Sequence, residues 1–214
     1  MEFSFDGIGS AAQSMSPAAI PTGHNNKGFF KRALMNLFII AFMFGFVELY
    51  TFCLGSGNGL IGLTISLAII SFWRTDIGIK PLQGAFVIWG SFLLTGGATF
   101  LASFHPAIGV FVNFASIYII LTLTSHQPMA KAYYPILSCY LFAQSSPVYG
   151  IDYGLRMIGI AGGGLIVAII YYMRHRKVKR RRNITDIFRE THFCSIRTKF
   201  FIRLTTGLTI AMLI

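Results

Sequence analysis

Charge is scarce in this sequence. Only 12% of its 214 residues are Asp, Glu, Lys or Arg, about half the share of an ordinary soluble domain. The acidic side is thinnest, with 7 Asp and Glu against 18 Lys and Arg. Cys53, Cys139 and Cys194 are the three cysteines. They are too few for a disulfide framework and read as unpaired, space-filling thiols. A Walker-type glycine loop, a Gly-x-Ser-x-Gly nucleophile elbow and a Cys-x-x-Cys pair are all missing. The five histidines, His24, His105, His126, His175 and His192, are scattered. None stands four residues from another His or from a carboxylate on one helix. These absences argue against a metal site, a cofactor and an enzyme.

What is present is apolar: 54% of the residues are hydrophobic and the mean hydropathy is +0.64. The net charge of +11 does not point to nucleic acid, because the cations sit between apolar runs rather than on one stripe, as membrane topology requires. The most informative stretch begins with Tyr153–Met173, long enough to cross a bilayer core of roughly 20 residues as a helix. It ends in the basic cluster Arg174, Arg176, Lys177, Lys179, Arg180, Arg181 and Arg182. Such a cluster at the foot of a spanning helix marks the cytoplasmic side and could also touch anionic headgroups.

Five further apolar runs precede it: Ala33–Leu54, Leu60–Trp73, Leu82–Phe104, Ala107–Thr124 and Ala132–Ser146. The second and fifth are short. Turns separate the runs, from Gly55-Ser-Gly-Asn-Gly59 to Ser145-Ser-Pro-Val-Tyr-Gly150. Six crossings from a cytoplasmic N-terminus leave every Lys and Arg inside except Arg156, an asymmetry that sets the orientation. The expected architecture is an all-α integral membrane protein. Residues 1–28 form a disordered cytoplasmic tail with no signal peptide, 29–173 a six-helix transmembrane bundle, and 174–199 a basic cytoplasmic segment. Residues 200–214 read as the truncated start of a further transmembrane helix, because eleven apolar residues from Leu204 cannot span. Its opening, Phe200-Phe-Ile-Arg203, is like Phe29-Phe-Lys-Arg32 at the first helix, a hint of the internal repeats found in transporters. On this topology the sequon Asn183-Ile-Thr185 never meets the outside.

Three ionisable groups fall at membrane depth near the outer end: Glu48, Asp152 and Arg156. A charge in lipid costs at least about 2.5 kcal/mol, so it seeks protein, water or a partner. Glu48 and Arg156 are of opposite sign at comparable depth. They form either a salt bridge, or an anion-binding patch in which Glu48 serves as counter-ion or proton carrier. Snorkelling to the interface is the plainer alternative. Gly159, Gly162 and Gly163 on the sixth run, with a Gly-x-x-x-Gly spacing, allow close helix packing or an unwound, substrate-lining stretch.

The sixth-helix opening Gly154-Leu-Arg156-Met-Ile-Gly159-Ile-Ala-Gly162-Gly-Gly-Leu, together with six short glycine-rich helices and the basic segment after them, resembles the membrane half of the fusaric-acid-resistance-like proteins, related to the aromatic acid exporters (FUSC-type). The likeness covers roughly residues 29–182, with 197–214 similar to the start of a second bundle. It implies a bacterial inner-membrane protein exporting small anionic or aromatic organic acids, with Arg156 at the anion. It also implies a second six-helix bundle, or a homo-oligomer in its place. A non-transporting membrane subunit that packs against a partner through its glycine faces is the other expectation.

Overall fold

The structure, a computed structural model, describes residues 26–124, 132–178, 182–189 and 196–212. The described chain forms eight α-helices: α1 (Asn26–Leu54), α2 (Gly59–Arg74), α3 (Pro81–Ala102), α4 (Pro106–Thr124), α5 (Tyr134–Ser145), α6 (Ile151–His175), α7 (Ile184–Arg189) and α8 (Ile196–Ala211). A 3-10 turn, Ser56–Asn58, joins α1 to α2. Pro81, Pro106 and Pro135 all stand in the first turn of their helices, where the missing N–H costs nothing.

The chain divides into two compact units, Met1–Ile39 and Ile40–Ile214. Of the first, residues 26–39 are described, all in helix. Phe30, Leu34, Met35, Leu37 and Phe38 there are exposed. The second unit holds the core, built from one face each of α2, α3, α4, α5 and α6. Ile61, Ile65 and Phe72 of α2, Ile88 and Phe92 of α3, Ile117 and Ile120 of α4, Ile136 and Tyr140 of α5, and Val167 and Tyr171 of α6 are fully or nearly fully buried in it.

α6 lies chiefly along α3 and then along α2, and its glycines set how close they come. A methyl at Gly164 would stand 2.6 Å from Phe92 Cβ of α3, and one at Gly163 would collide with Ile65 of α2. Gly159 faces Tyr50 and Leu54 in the same way. This is the small-residue packing of membrane helices. Of the three glycines expected to pack, Gly162 differs: it is exposed with open space before it. Gly164 holds a close contact instead.

Among the described residues, five stretches are long and apolar enough to cross a membrane: Phe30–Leu54, Ser56–Arg74, Pro81–Ala102, Pro106–Thr124 and Ile151–His175. The fifth apolar run is short, as expected. It forms α5, only 12 residues long, which rises about 18 Å at 1.5 Å per residue, well short of a hydrocarbon core of about 30 Å. α5 is nonetheless buried against α2 and α3, with Ile136, Cys139 and Tyr140 wholly enclosed.

The last helix is not what its apolar residues foretell. α8 starts at Ile196, within the expected basic segment, and packs on α4. Thr198, Phe201, Thr205 and Thr209 form its buried face, so threonines extend the packing stripe beyond the apolar run. The residues before Asn26, together with Lys179, Arg180, Arg181 and Cys194, lie outside the described residues. Of the other cysteines, Cys53 is exposed and Cys139 buried, both as free thiols.

Candidate functional site

Three chain reversals meet at one end of the second unit: the 3-10 turn after α1, the α3 C-terminus, and the loop from α5 to α6. The first and last turn on Gly55 (φ 89°) and Gly150 (φ 62°), left-handed conformations that favour glycine. Between them lies Arg156, one turn into α6 and only 2% exposed.

Its guanidinium is held by four oxygens. Nε–H donates to Asn58 Oδ1 at 2.8 Å, and Nη2–H to Gly57 O at 2.9 Å. Nη1 donates to Ala143 O at 3.3 Å and to Ser146 O. The last two carbonyls are at the C-terminus of α5, where a helix leaves carbonyls without internal partners and carries partial negative charge. Asn58 is itself fixed, since its Nδ2 donates to Leu54 O at 2.7 Å. One side chain of α6 thus ties together the end of α1, the 3-10 turn and the short α5. Hydrogen bonds to a charged group are worth about 1.5–3 kcal/mol each, so this clasp is a large local contribution.

All four acceptors are neutral. Glu48 is exposed on α1 and is not among the partners of Arg156. Asp152 is exposed in the first turn of α6 and is not among them either. The arrangement brings one of the three expected charges into the protein and leaves the two carboxylates at its surface.

Arg156 forms part of the wall of a cleft of about 410 Å³. Thr99 and Phe100 of α3, Ser103 just after it, Ala143 and Gln144 of α5, Pro147–Gly150 of the loop and Tyr153 of α6 complete it. Tyr153 OH donates to Gly96 O at 3.0 Å, and its ring lies 5.0 Å from that of Phe100. The cleft therefore offers aromatic faces, hydroxyls and one cation, and none of its lining residues is a carboxylate.

The opposite end of α6 is built from the other charges. Asp76, in the loop between α2 and α3, accepts from Tyr171 OH at 2.8 Å and from Gly78 N at 3.0 Å. The Tyr171 ring sits where a side chain on Gly84 would stand, 2.6 Å from the position of its methyl. It also lies 4.6 Å from the His175 ring. Lys80 N donates to Arg182 O at 3.1 Å and Ile184 N to Gln83 Oε1 at 3.0 Å, joining the chain after α6 to the start of α3. Arg174 lies 5.7 Å above the Trp73 ring. Arg74, Lys80, Arg174, Arg176 and Lys177 are exposed here. Among the described residues no group of three or more His, Cys, Asp or Glu side chains could hold a metal ion.

Arg156 stands out in the sequence, but its partners do not. Asn58 reads as part of a glycine turn, and it lies 98 residues away from Arg156. Tyr171 and Asp76, 95 residues apart, carry no signal that pairs them. The chain is all-helical in its described elements, with the apolar spans of a multipass membrane protein. No family model matches it, and no curated protein or solved structure is similar to it.

Proposed function

We propose that this chain is a multipass inner-membrane transport protein that moves small anionic or aromatic organic compounds outward through the Arg156 cleft. The observation that carries the reading is the buried guanidinium with only neutral acceptors around it. A cation withdrawn from water without a counter-charge leaves a positive potential, and the four bonds leave one of the five guanidinium N–H groups for an anion. Phe100, Tyr149 and Tyr153 in the same cleft suit an aromatic ring. Glu48 and Asp152, exposed near this end, are the candidates for carrying a proton or balancing charge.

In this reading six segments cross and the N-terminus is cytoplasmic. Two observations support it. The turns flanking Arg156 gather at one end, while Asp76 holds Tyr171 and Lys80 bonds Arg182 at the other. The exposed cations of the second end fit the cytoplasmic side. The fifth run, Ala132–Ser146, with α5 inside it, then makes the remaining crossing. The resemblance to FUSC-type exporters belongs to the same proposal, as does a homo-oligomer or second bundle beside this one.

A direct test is efflux of an aromatic carboxylate from loaded proteoliposomes containing this chain. Tyr149 is 74% exposed, so Tyr149→Ala leaves the fold intact and is expected to lower the rate severalfold. No efflux above empty vesicles from well-folded protein would sink the reading. One observation favours the alternative, a non-transporting membrane subunit: only 6% of the α1 span is buried, against 39–50% in the other four. A helix so bare has a face to offer a partner helix. In that case crosslinks from α1 to another chain accompany an absence of efflux.

A further inference from the structure

We propose that the groove between α3 and α6 is a binding site for one anionic phospholipid, with its headgroup at the basic end of the bundle. Leu82, Phe86 and Trp89 of α3 face Leu165, Ile169 and Tyr172 of α6 across an apolar slot of about 220 Å³. Both sets recur at the spacing of one helical face, so the slot runs along the helices, as an acyl chain in a membrane does. Trp89 Nε1 donates to Ala161 O at 3.1 Å. That bond fixes the indole at the deep end of the groove.

The shallow end is where the charge lies. Lys80 immediately precedes α3 and is exposed. Arg176 is one turn beyond Tyr172, its N–H donating to Tyr172 O at 2.8 Å, and is exposed. It therefore continues the groove-facing row of Leu165, Ile169 and Tyr172. The backbone bond from Lys80 to Arg182 O brings the chain after α6 to the same lip. An apolar slot capped by cations matches a phosphodiester carrying acyl chains. Lys and Arg near a membrane surface attract anionic lipid by about 1 kcal/mol each.

Two other apolar grooves among the described residues lack this cap. One is lined by Ile40, Phe44 and Val47 of α1 with Leu60 and Leu63 of α2. Another lies between Phe46–Leu54 of α1 and Ile158–Ile166 of α6. No Lys or Arg occurs between Arg32 and Arg74, and the Arg156 guanidinium is turned to Asn58, Gly57, Ala143 and Ser146. These grooves fit lipid tails of any kind; the α3–α6 groove discriminates by headgroup.

The chain has two tryptophans, Trp73 and Trp89, so Trp73→Phe leaves Trp89 as the only indole, inside the groove. Its fluorescence is measured in bilayers of phosphatidylcholine with a minor fraction of phosphatidylglycerol, brominating the acyl chains of one lipid at a time. Brominated phosphatidylglycerol is expected to quench Trp89 about fivefold or more beyond its mole fraction. Lys80→Gln with Arg176→Gln should return the quenching to the mole fraction while the helical circular dichroism stays unchanged. Equal quenching per mole by both lipids in the Trp73→Phe protein overturns the proposal, and this arm does not depend on the double variant folding.

Discussion

The two ends of α6 handle charge in opposite ways. At the Arg156 end one cation is taken inside and satisfied by four neutral oxygens, while Glu48 and Asp152 stay exposed. At the other end the exposed charges are cations, and it is a carboxylate, Asp76, that is drawn into hydrogen bonds with Tyr171 and Gly78. A buried charge is tolerated where backbone carbonyls or amides are left over from helix ends and turns. Arg156 finds such carbonyls at the end of the short α5 and in the 3-10 turn. Asp76 finds a loop amide. The difference in scale follows from burial: Arg156 joins three separate pieces of chain inside the protein, whereas Asp76 fastens one loop near the surface.

The comparison is broken most sharply at Arg156. Arg156→Ala strands the carbonyls of Gly57, Ala143 and Ser146 and empties the space between them. A loss of about 3–5 kcal/mol is expected, because each buried acceptor left unsatisfied costs about 1–3 kcal/mol. It should appear as loss of folded protein from membranes or a large drop in thermal midpoint. Arg156→Lys keeps the charge without the planar fork and should fall between the two. A midpoint unchanged in Arg156→Ala would remove the clasp from the account.

Packing beside the clasp is sharpened by a pair of glycines two residues apart. Gly164→Ala drives a methyl against Phe92 and is expected to cost about 1–3 kcal/mol, as overpacking does. Gly162→Ala meets open space and should be neutral or stabilising by up to about 1 kcal/mol, through helix propensity alone. Thermal unfolding of both in one detergent compares them directly.

Smaller changes belong to the basic end. Tyr171→Phe removes the hydroxyl that Asp76 accepts from, and about 1 kcal/mol is expected, visible as a modest fall in the same midpoint. Arg174→Gln takes away an exposed cation stacked on Trp73. The midpoint should barely move, and the emission spectrum of Trp73 is the readout. If Tyr171→Phe cost as much as Arg156→Ala, the contrast between the ends would be lost.

Hydropathy alone made most of the helices visible, because long apolar runs bounded by glycine, proline and charge leave few other folds. Arg156 stood out for the same reason, as a cation isolated from all the others. The shortness of α5 was legible too, since Ala132–Ser146 is a short run and the helix fills Tyr134–Ser145 of it. α8 was hidden, since its stripe of Thr198, Thr205 and Thr209 adds nothing to an apolar count. The pairing of Glu48 with Arg156 was drawn from sign and depth. The oxygens that hold the guanidinium are an Asn side chain and three backbone carbonyls, which composition cannot mark. Long-range partners such as Asn58 and Asp76 become legible only once the helices are assembled.

The central claim is that Arg156 presents an unbalanced positive charge to the cleft. Calorimetric titration of the purified chain with benzoate and, separately, with benzamide tests it most directly, since the two share a ring and differ in charge. Benzoate is expected to bind at least about tenfold more tightly, with both ligands weakened by Tyr149→Ala. Equal affinity for the two, or binding of neither, would contradict the claim and leave Arg156 as a structural clasp alone.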